Sequence, residues 1–234
     1  MMESRVIMWK KALEEREADQ AQMQVFDSMI DYMGELYRSE KELKEENNHL
    51  KQQVKSIIDR YEGDENVMYV KDLHKKQEEL DNLVSEKNKS GYVPSPADII
   101  FCFKTELYEL ANEIEFFKHW KKNKGKGNEL GEYVDCLHFL LSIGNLYGIN
   151  LIEVEIPKSS FVHTEDDFYQ LWGTIENHLR DLPYGSQEDI REAYSDLFRT
   201  FLDLGDRLGF SEKKIREAYL AKWYVNVQRQ KDNY

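Results

Sequence analysis

The sequence is poor in residues that punctuate a chain. It has four prolines and twelve glycines in 234 residues, and no proline precedes Pro94. Strand-rich folds need frequent turn residues, so this shortage points to an all-α protein. Cysteine is scarcer still. Cys102 and Cys136 are too few and too isolated for a disulfide framework or a Cys-based zinc site, and read best as small core residues. No run of about 18 apolar residues is available to cross a bilayer. Near the start only Val6–Trp9 is apolar, and charges flank it. Met1–Lys11 therefore does not read as a signal peptide, and a cytoplasmic location is expected. Basic residues are in deficit, with 32 Lys and Arg against 45 Asp and Glu, a formal net charge of −13. That deficit argues against a protein that coats duplex nucleic acid or an anionic membrane, where Lys and Arg supply the binding. It leaves room for a protein that holds a nucleotide through divalent cations, because those need carboxylates.

The chain changes character near residues 62–68, which predicts a helical extension over 1–66 and a separate domain over 67–234. In the extension, Phe26, Met29, Met33, Leu36, Leu43, Leu50, Val54, Ile57 and Tyr61 recur at alternating spacings of three and four, with Glu40 and Asn47 filling the series. This is the seam of a coiled coil, and an Asn at an a position is a device for fixing register. Glu46 and Lys51 fall at g and e, where they can pair between strands. A helix lying along its own domain would show a similar stripe. The seam is thus either a self-associating coiled coil, a surface for a protein partner, or a packed helix.

In the second part, Gly63–Asn66 reads as a break and a helical pattern starts near Val67. The loop Lys89–Pro96 holds Gly91, Pro94 and Pro96, with Pro96 suited to the first turn of the next helix. That helix, about Ala97–His119, carries Phe103, Leu107, Leu110, Ile114 and Phe117 on a core face. A second stripe beside it bears Glu106, Glu109 and Glu113. The Lys121–Asn128 loop, with four lysines and two glycines, reads as exposed charge able to steer an anion. The next helix, Glu129–Tyr147, is apolar on nearly every side, which suits the middle of a bundle or a subunit interface. Glu132, Asp135 and His138 interrupt it. Asn150–His163 is a connection of undefined shape. Helices over Thr164–Leu182, Ser186–Leu208 and Ser211–Lys231 follow, with Ser211 as an N-cap and Gly209 at a helix end.

The chemistry rests on two carboxylate pairs. Glu106 and Glu109 are three apart on one helix face, and Glu132 and Asp135 repeat the spacing on the next. Two consecutive helices that pack antiparallel would bring the pairs face to face. Four carboxylates together repel one another unless hard divalent cations neutralise them, and all-oxygen ligation suits Mg²⁺ or Mn²⁺. Mg²⁺ in turn is commonly shared with substrate phosphates, so a phosphate-ester reaction is the natural chemistry. Ordinary solvated helix charges have the same spacing. Glu132 and Asp135 stand apart because they sit in an otherwise buried helix, and buried carboxylates need a reason. The sequence has no GxxxxGK[ST] phosphate loop and no HExxH zinc motif. His138, one turn past Asp135, either leans into the same site or is a satisfied core histidine.

The order of these motifs resembles the dimeric, all-α dUTPases, members of the superfamily that includes MazG-like proteins and dCTP pyrophosphatases. The match lies in Glu106-Leu-Tyr-Glu109-Leu-Ala-Asn-Glu113, Phe116-Phe-Lys118-His-Trp120-Lys121 and Glu132-Tyr-Val-Asp135-Cys-Leu-His138-Phe139. Two outlying segments extend it: Gln77-Glu-Glu-Leu80-Asp81, and Ala218 to Gln230 with Tyr219, Lys222, Asn226 and Arg229. The version here looks like those of Gram-positive bacteria and their phages. Trp223 and Asn233 depart from the family pattern, which leaves contacts of the last residues open.

The resemblance implies a homodimer built on the Glu129–Tyr147 helix, hydrolysing dUTP to dUMP and pyrophosphate with two or more Mg²⁺ ions. Glu106, Glu109, Glu132 and Asp135 match the metal ligands. Glu106 is the expected group for activating water, with Glu109 as the substitute. Gln77 and Asp81 match base and deoxyribose contacts, Trp120 an aromatic beside the base, and His138 a position near the sugar. Lys118 belongs to the same Lys-Trp segment, an expected substrate contact. Tyr219, Lys222, Asn226 and Arg229 match a phosphate-side cluster. Plain readings remain for these residues: core for Trp120, solvated charge for Lys222 and Arg229. Two rivals also remain, a pyrophosphohydrolase for another nucleotide such as dCTP, and a nucleotide-binding interaction protein.

Overall fold

A computed structural model of the protein describes residues 41, 42, 44, 45, 48, 52, 67–88, 90–157, 165–182 and 185–232. The chain forms two compact units, Met1–Ile57 and Ile58–Tyr234. The described residues of the first unit are helical and exposed, with a Lys41–Glu45 pair at 3.8 Å. Every seam position named above, Phe26 to Tyr61, lies outside the described residues.

The described part of the second unit runs β1 (Val67–Tyr69), α1 (Lys71–Lys87), α2 (Pro96–Ile114), α3 (Glu129–Leu146), β2 (Glu153–Glu155), α4 (Glu165–Asp181), α5 (Gln187–Arg207) and α6 (Glu212–Lys231). It is an all-α fold with one small ribbon, in which β1 and β2 pair antiparallel with Met68 opposite Val154. The helix expected to start near Val67 begins instead at Lys71, after this strand. Val67–Tyr69 alternate half-buried, buried, half-buried, the period of a strand, and only from Lys71 does the helical period begin.

Local chemistry sets the helix ends. Ser95 and Asp98 form a capping box before α2, with Pro96 in the first turn, and Ser186 and Asp189 do the same for α5. Ser211 caps α6, where its side chain accepts from the Lys214 amide. Each such cap contributes about 1 kcal/mol. Helix α2 stops at Ile114, five residues short of the expected end. Glu115 there adopts a left-handed conformation (φ 61°), and its buried carboxylate accepts from Lys118 and Lys121 at 2.9 and 2.7 Å. Those charge-assisted bonds outcompete another helical turn.

Helix α3 is the centre of the unit. Its buried residues run Tyr133, Val134, Cys136, Leu137, His138, Leu140–Gly144, leaving no wholly solvent-facing stripe over that span. Helices α2, α1, α6 and α5 all pack on it, α2 most extensively. Most of its apolar surface is thus covered within one chain, while Leu146 near its end is exposed. Gly144 lets α5 come close, since a Cβ there would meet the Tyr194 ring and His74 Cε1 at 2.6–2.7 Å. Tyr194 and Tyr133 donate to the carbonyls of Leu140 and Phe201, both at 3.0 Å, and the Tyr133 ring stacks on Phe201 at 4.3 Å. No described helix is long and apolar enough to cross a membrane.

Candidate active site

Helices α2 and α3 meet in opposite directions. Near the end of α2, Glu113 accepts from the Asn128 amide at 2.9 Å, just before α3 begins. Earlier on α2, Glu106 feels the charge of Asp135, further along α3. The antiparallel crossing brings together Glu106, Glu109 and Glu132, which offer one oxygen each within 4.8 Å of one another. Glu106 and Glu132 are half-buried and Glu109 is exposed.

The electrostatics record the crowding. Burial, then the charges of Asp135, Glu109 and Glu132, push Glu106 up to about 7, against a smaller opposing pull from Lys222. Burial and Asp135 also raise Glu132, partly offset by the hydrogen bond from Asn128 Nδ2 at 2.9 Å. Two carboxylates held above their ordinary range mark a spot short of positive charge. Its donors are all carboxylate oxygens, the ligand set of a hard divalent cation, so these residues fit one.

Asp135 lies beside the three but is engaged elsewhere. Its Oδ2 accepts from Lys222 Nζ of α6 at 2.7 Å. Asn226 and Arg229 follow Lys222 on α6 at i+4 and i+7, half-buried and exposed respectively.

One turn deeper, α1, α3 and α6 converge on Gln77, which is only 3% exposed. Its Oε1 accepts from Tyr219 at 3.0 Å and meets His138 Nδ1 at 2.7 Å. Its Nε2 donates to Asp81 Oδ1 at 2.8 Å and Ser142 Oγ at 3.1 Å, and Ser142 donates to Asp81 at 2.8 Å. Burial pushes His138 down to about 3, with Lys222 acting the same way, so the imidazole is neutral. Because Gln77 Oε1 can only accept, the His138 proton is on Nδ1 and Nε2 is a bare acceptor. That Nε2 is buried with no protein partner. Burial raises Asp81.

The Lys118–Lys126 stretch is more tied down than its composition indicated. Lys118 and Lys121 are bound to Glu115, which their hydrogen bonds hold down to about 2. Lys118 also donates to Asn112 at 2.9 Å, so it is a strut of this turn. Lys124 donates to the Phe116 carbonyl and pairs with Glu165, and Lys126 pairs with Glu113 at 3.5 Å. Trp120 is 66% exposed on the turn, in edge contact with His119, which rules out a core role.

Sequence reading missed Ser142 and Asn128. Ser142 is visible in hindsight as a polar residue four beyond His138 in an apolar helix, the spacing of one face. Asn128 gives no comparable signal. Trp223, a departure from the family pattern, donates to the Lys76 carbonyl at 2.7 Å and lies under the Lys76 ammonium, tying α6 to α1.

Compared with known proteins, residues 69–234 match the model of a family described as dUTPase. A search of curated proteins returned no match.

Proposed function

Since the chain belongs to the dUTPase family and is a dUTP diphosphatase, we propose that Glu106, Glu109, Glu132 and Asp135 hold Mg²⁺ against the triphosphate and that Glu106 activates the attacking water. The convergence of the first three on one spot carries the reading. Bound there, the cation would neutralise charge on the phosphate oxygens and on the departing pyrophosphate.

The chain's own residues supply the rest. Glu106 is half-buried and raised toward neutrality, which suits a group that takes a proton from water at physiological pH. Glu109 is exposed, and we read it as a ligand more than as a base. Lys222 and Arg229 offer cations to the phosphates, Arg with a planar fork. Buried Gln77, Ser142, His138 and Tyr219 form a polar nest with half-buried Asp81 beside the cluster, and His138 Nε2 is an acceptor free for a donor of the nucleoside. Trp120 is free to cover a base face because nothing buries it. We extend the reading to a homodimer, on the family resemblance.

Pyrophosphate release from a panel of deoxynucleoside triphosphates, with and without Mg²⁺, tests this. Turnover of dUTP that depends on Mg²⁺ and exceeds that of dCTP and dTTP is expected. Preference for dCTP, or turnover indifferent to the metal, would count against it.

A further inference from the structure

Lys222 reaches the acidic cluster from a different helix. Its Nζ lies 2.7 Å from Asp135 Oδ2, and the two side chains are 34% and 22% exposed. Glu106, Glu109 and Glu132 share one spot, while Asp135, one turn beyond Glu132, is given to the lysine. A divalent cation binds carboxylate oxygens at about 2.1 Å. A carboxylate oxygen that already accepts from an ammonium is poorly placed to take that cation as well, and the two cations would repel.

We propose that Lys222 is a built-in placeholder: it occupies Asp135 in the nucleotide-free protein, yields it to the entering divalent cation, and carries its charge to the substrate's triphosphate. This rests on the metal and triphosphate reading above. The mounting of α6 suits such an exchange. Arg216 is wholly buried, donating to Asp72 at 2.7 Å and Glu212 at 2.6 Å and to the Tyr69 carbonyl. Tyr219 is likewise wholly buried on Gln77. The helix is therefore pinned one turn before Lys222, while the lysine itself is half-buried on a flexible four-carbon stem. Handing the ammonium from Asp135 to the phosphates makes metal and nucleotide assist each other's binding, and such coupling is reciprocal. A lysine that served only as a phosphate ligand would leave metal affinity unaffected in the absence of nucleotide.

The test titrates Mn²⁺ into the nucleotide-free full-length protein and follows free Mn²⁺ by electron paramagnetic resonance. It compares the wild type with Lys222→Met, Lys222→Arg and Lys126→Met. Lys126 pairs with Glu113 at the edge of the same acidic region, so its loss measures the general effect of removing one positive charge. Lys222→Met is expected to bind Mn²⁺ about tenfold tighter than the wild type. Lys222→Arg should show no tightening, and Lys126→Met much less than Lys222→Met. Should Lys222→Met fail to fold, Lys222→Gln carries the same expectation. Equal affinity in the wild type and Lys222→Met, or a gain no larger than that of Lys126→Met, overturns the placeholder role and leaves the metal site standing. Absence in all these proteins of saturable Mn²⁺ binding that Glu109→Gln abolishes overturns the metal reading itself.

Discussion

His138 and Tyr219 stack with ring centroids 4.4 Å apart and converge on a single atom, Oε1 of Gln77. One residue comes from the central helix and the other from the last, so the pair locks α3 and α6 around a glutamine of α1. The geometry also fixes the histidine proton on Nδ1. Nitrogen-15 NMR should find His138 neutral and Nδ1-protonated at pH 5, where an ordinary histidine is charged. The folded value near 3 lies below the ordinary 6.5, so the unfolded chain binds more protons between them. This residue's contribution to stability is therefore complete above that window and is lost as pH falls through it. A charged His138 at pH 5 would contradict the assignment.

Gln77 serves four partners at once. Gln77→Leu leaves the buried His138 Nδ1–H without its acceptor and takes a donor from the Asp81 and Ser142 oxygens, while Tyr219 keeps the Leu73 carbonyl at 3.3 Å, at a cost of about 2–3 kcal/mol. Tyr219→Phe removes one donor and should cost only about 1 kcal/mol. Urea unfolding measures both, and equal costs would show that Gln77 is not the hub.

Glu106 titrates in the opposite sense to His138. It keeps its proton up to about 7 when folded, against an ordinary 4.5, so the folded state binds more protons between these values. Stability of the metal-free protein should fall as pH rises from 5 to 8, and Glu106→Gln should flatten that slope. Thermal melts of both proteins in EDTA check it. A slope unchanged by the substitution would place the titration elsewhere.

Glu109 is exposed, so Glu109→Gln should leave the melting temperature within a few degrees of the wild type while lowering kcat on dUTP by about 100-fold or more. Steady-state pyrophosphate release, paired with a thermal melt, separates the two effects. Near-normal kcat would remove Glu109 from the ligand set.

Much of this was legible in the sequence because helices carry strong periodic signals. The stripe Phe103, Leu107, Leu110 and Ile114 is buried as its spacing required, and the acidic stripe beside it does meet α3. Pro96, Ser186 and Ser211 marked helix starts because capping is a local affair. What escaped is not local. The strand at Val67–Tyr69 depends on Glu153–Glu155, more than eighty residues away. The early end of α2 depends on a buried glutamate held by two lysines further along the chain. The bonds of Lys118 to Asn112 and Glu115 were not legible either, because a charge in a motif does not announce its partner. The engagement of Asp135 by Lys222 likewise needed α6 to be placed against α3.

The central claim is that three glutamates from two helices share a divalent cation. Crystals grown with a non-hydrolysable dUTP analogue and Mn²⁺ test it by anomalous diffraction. The account predicts an anomalous peak about 2.1 Å from carboxylate oxygens of Glu106, Glu109 and Glu132 and in contact with the phosphates. A bound nucleotide whose phosphates lie away from these side chains, with no anomalous peak among them, would contradict it.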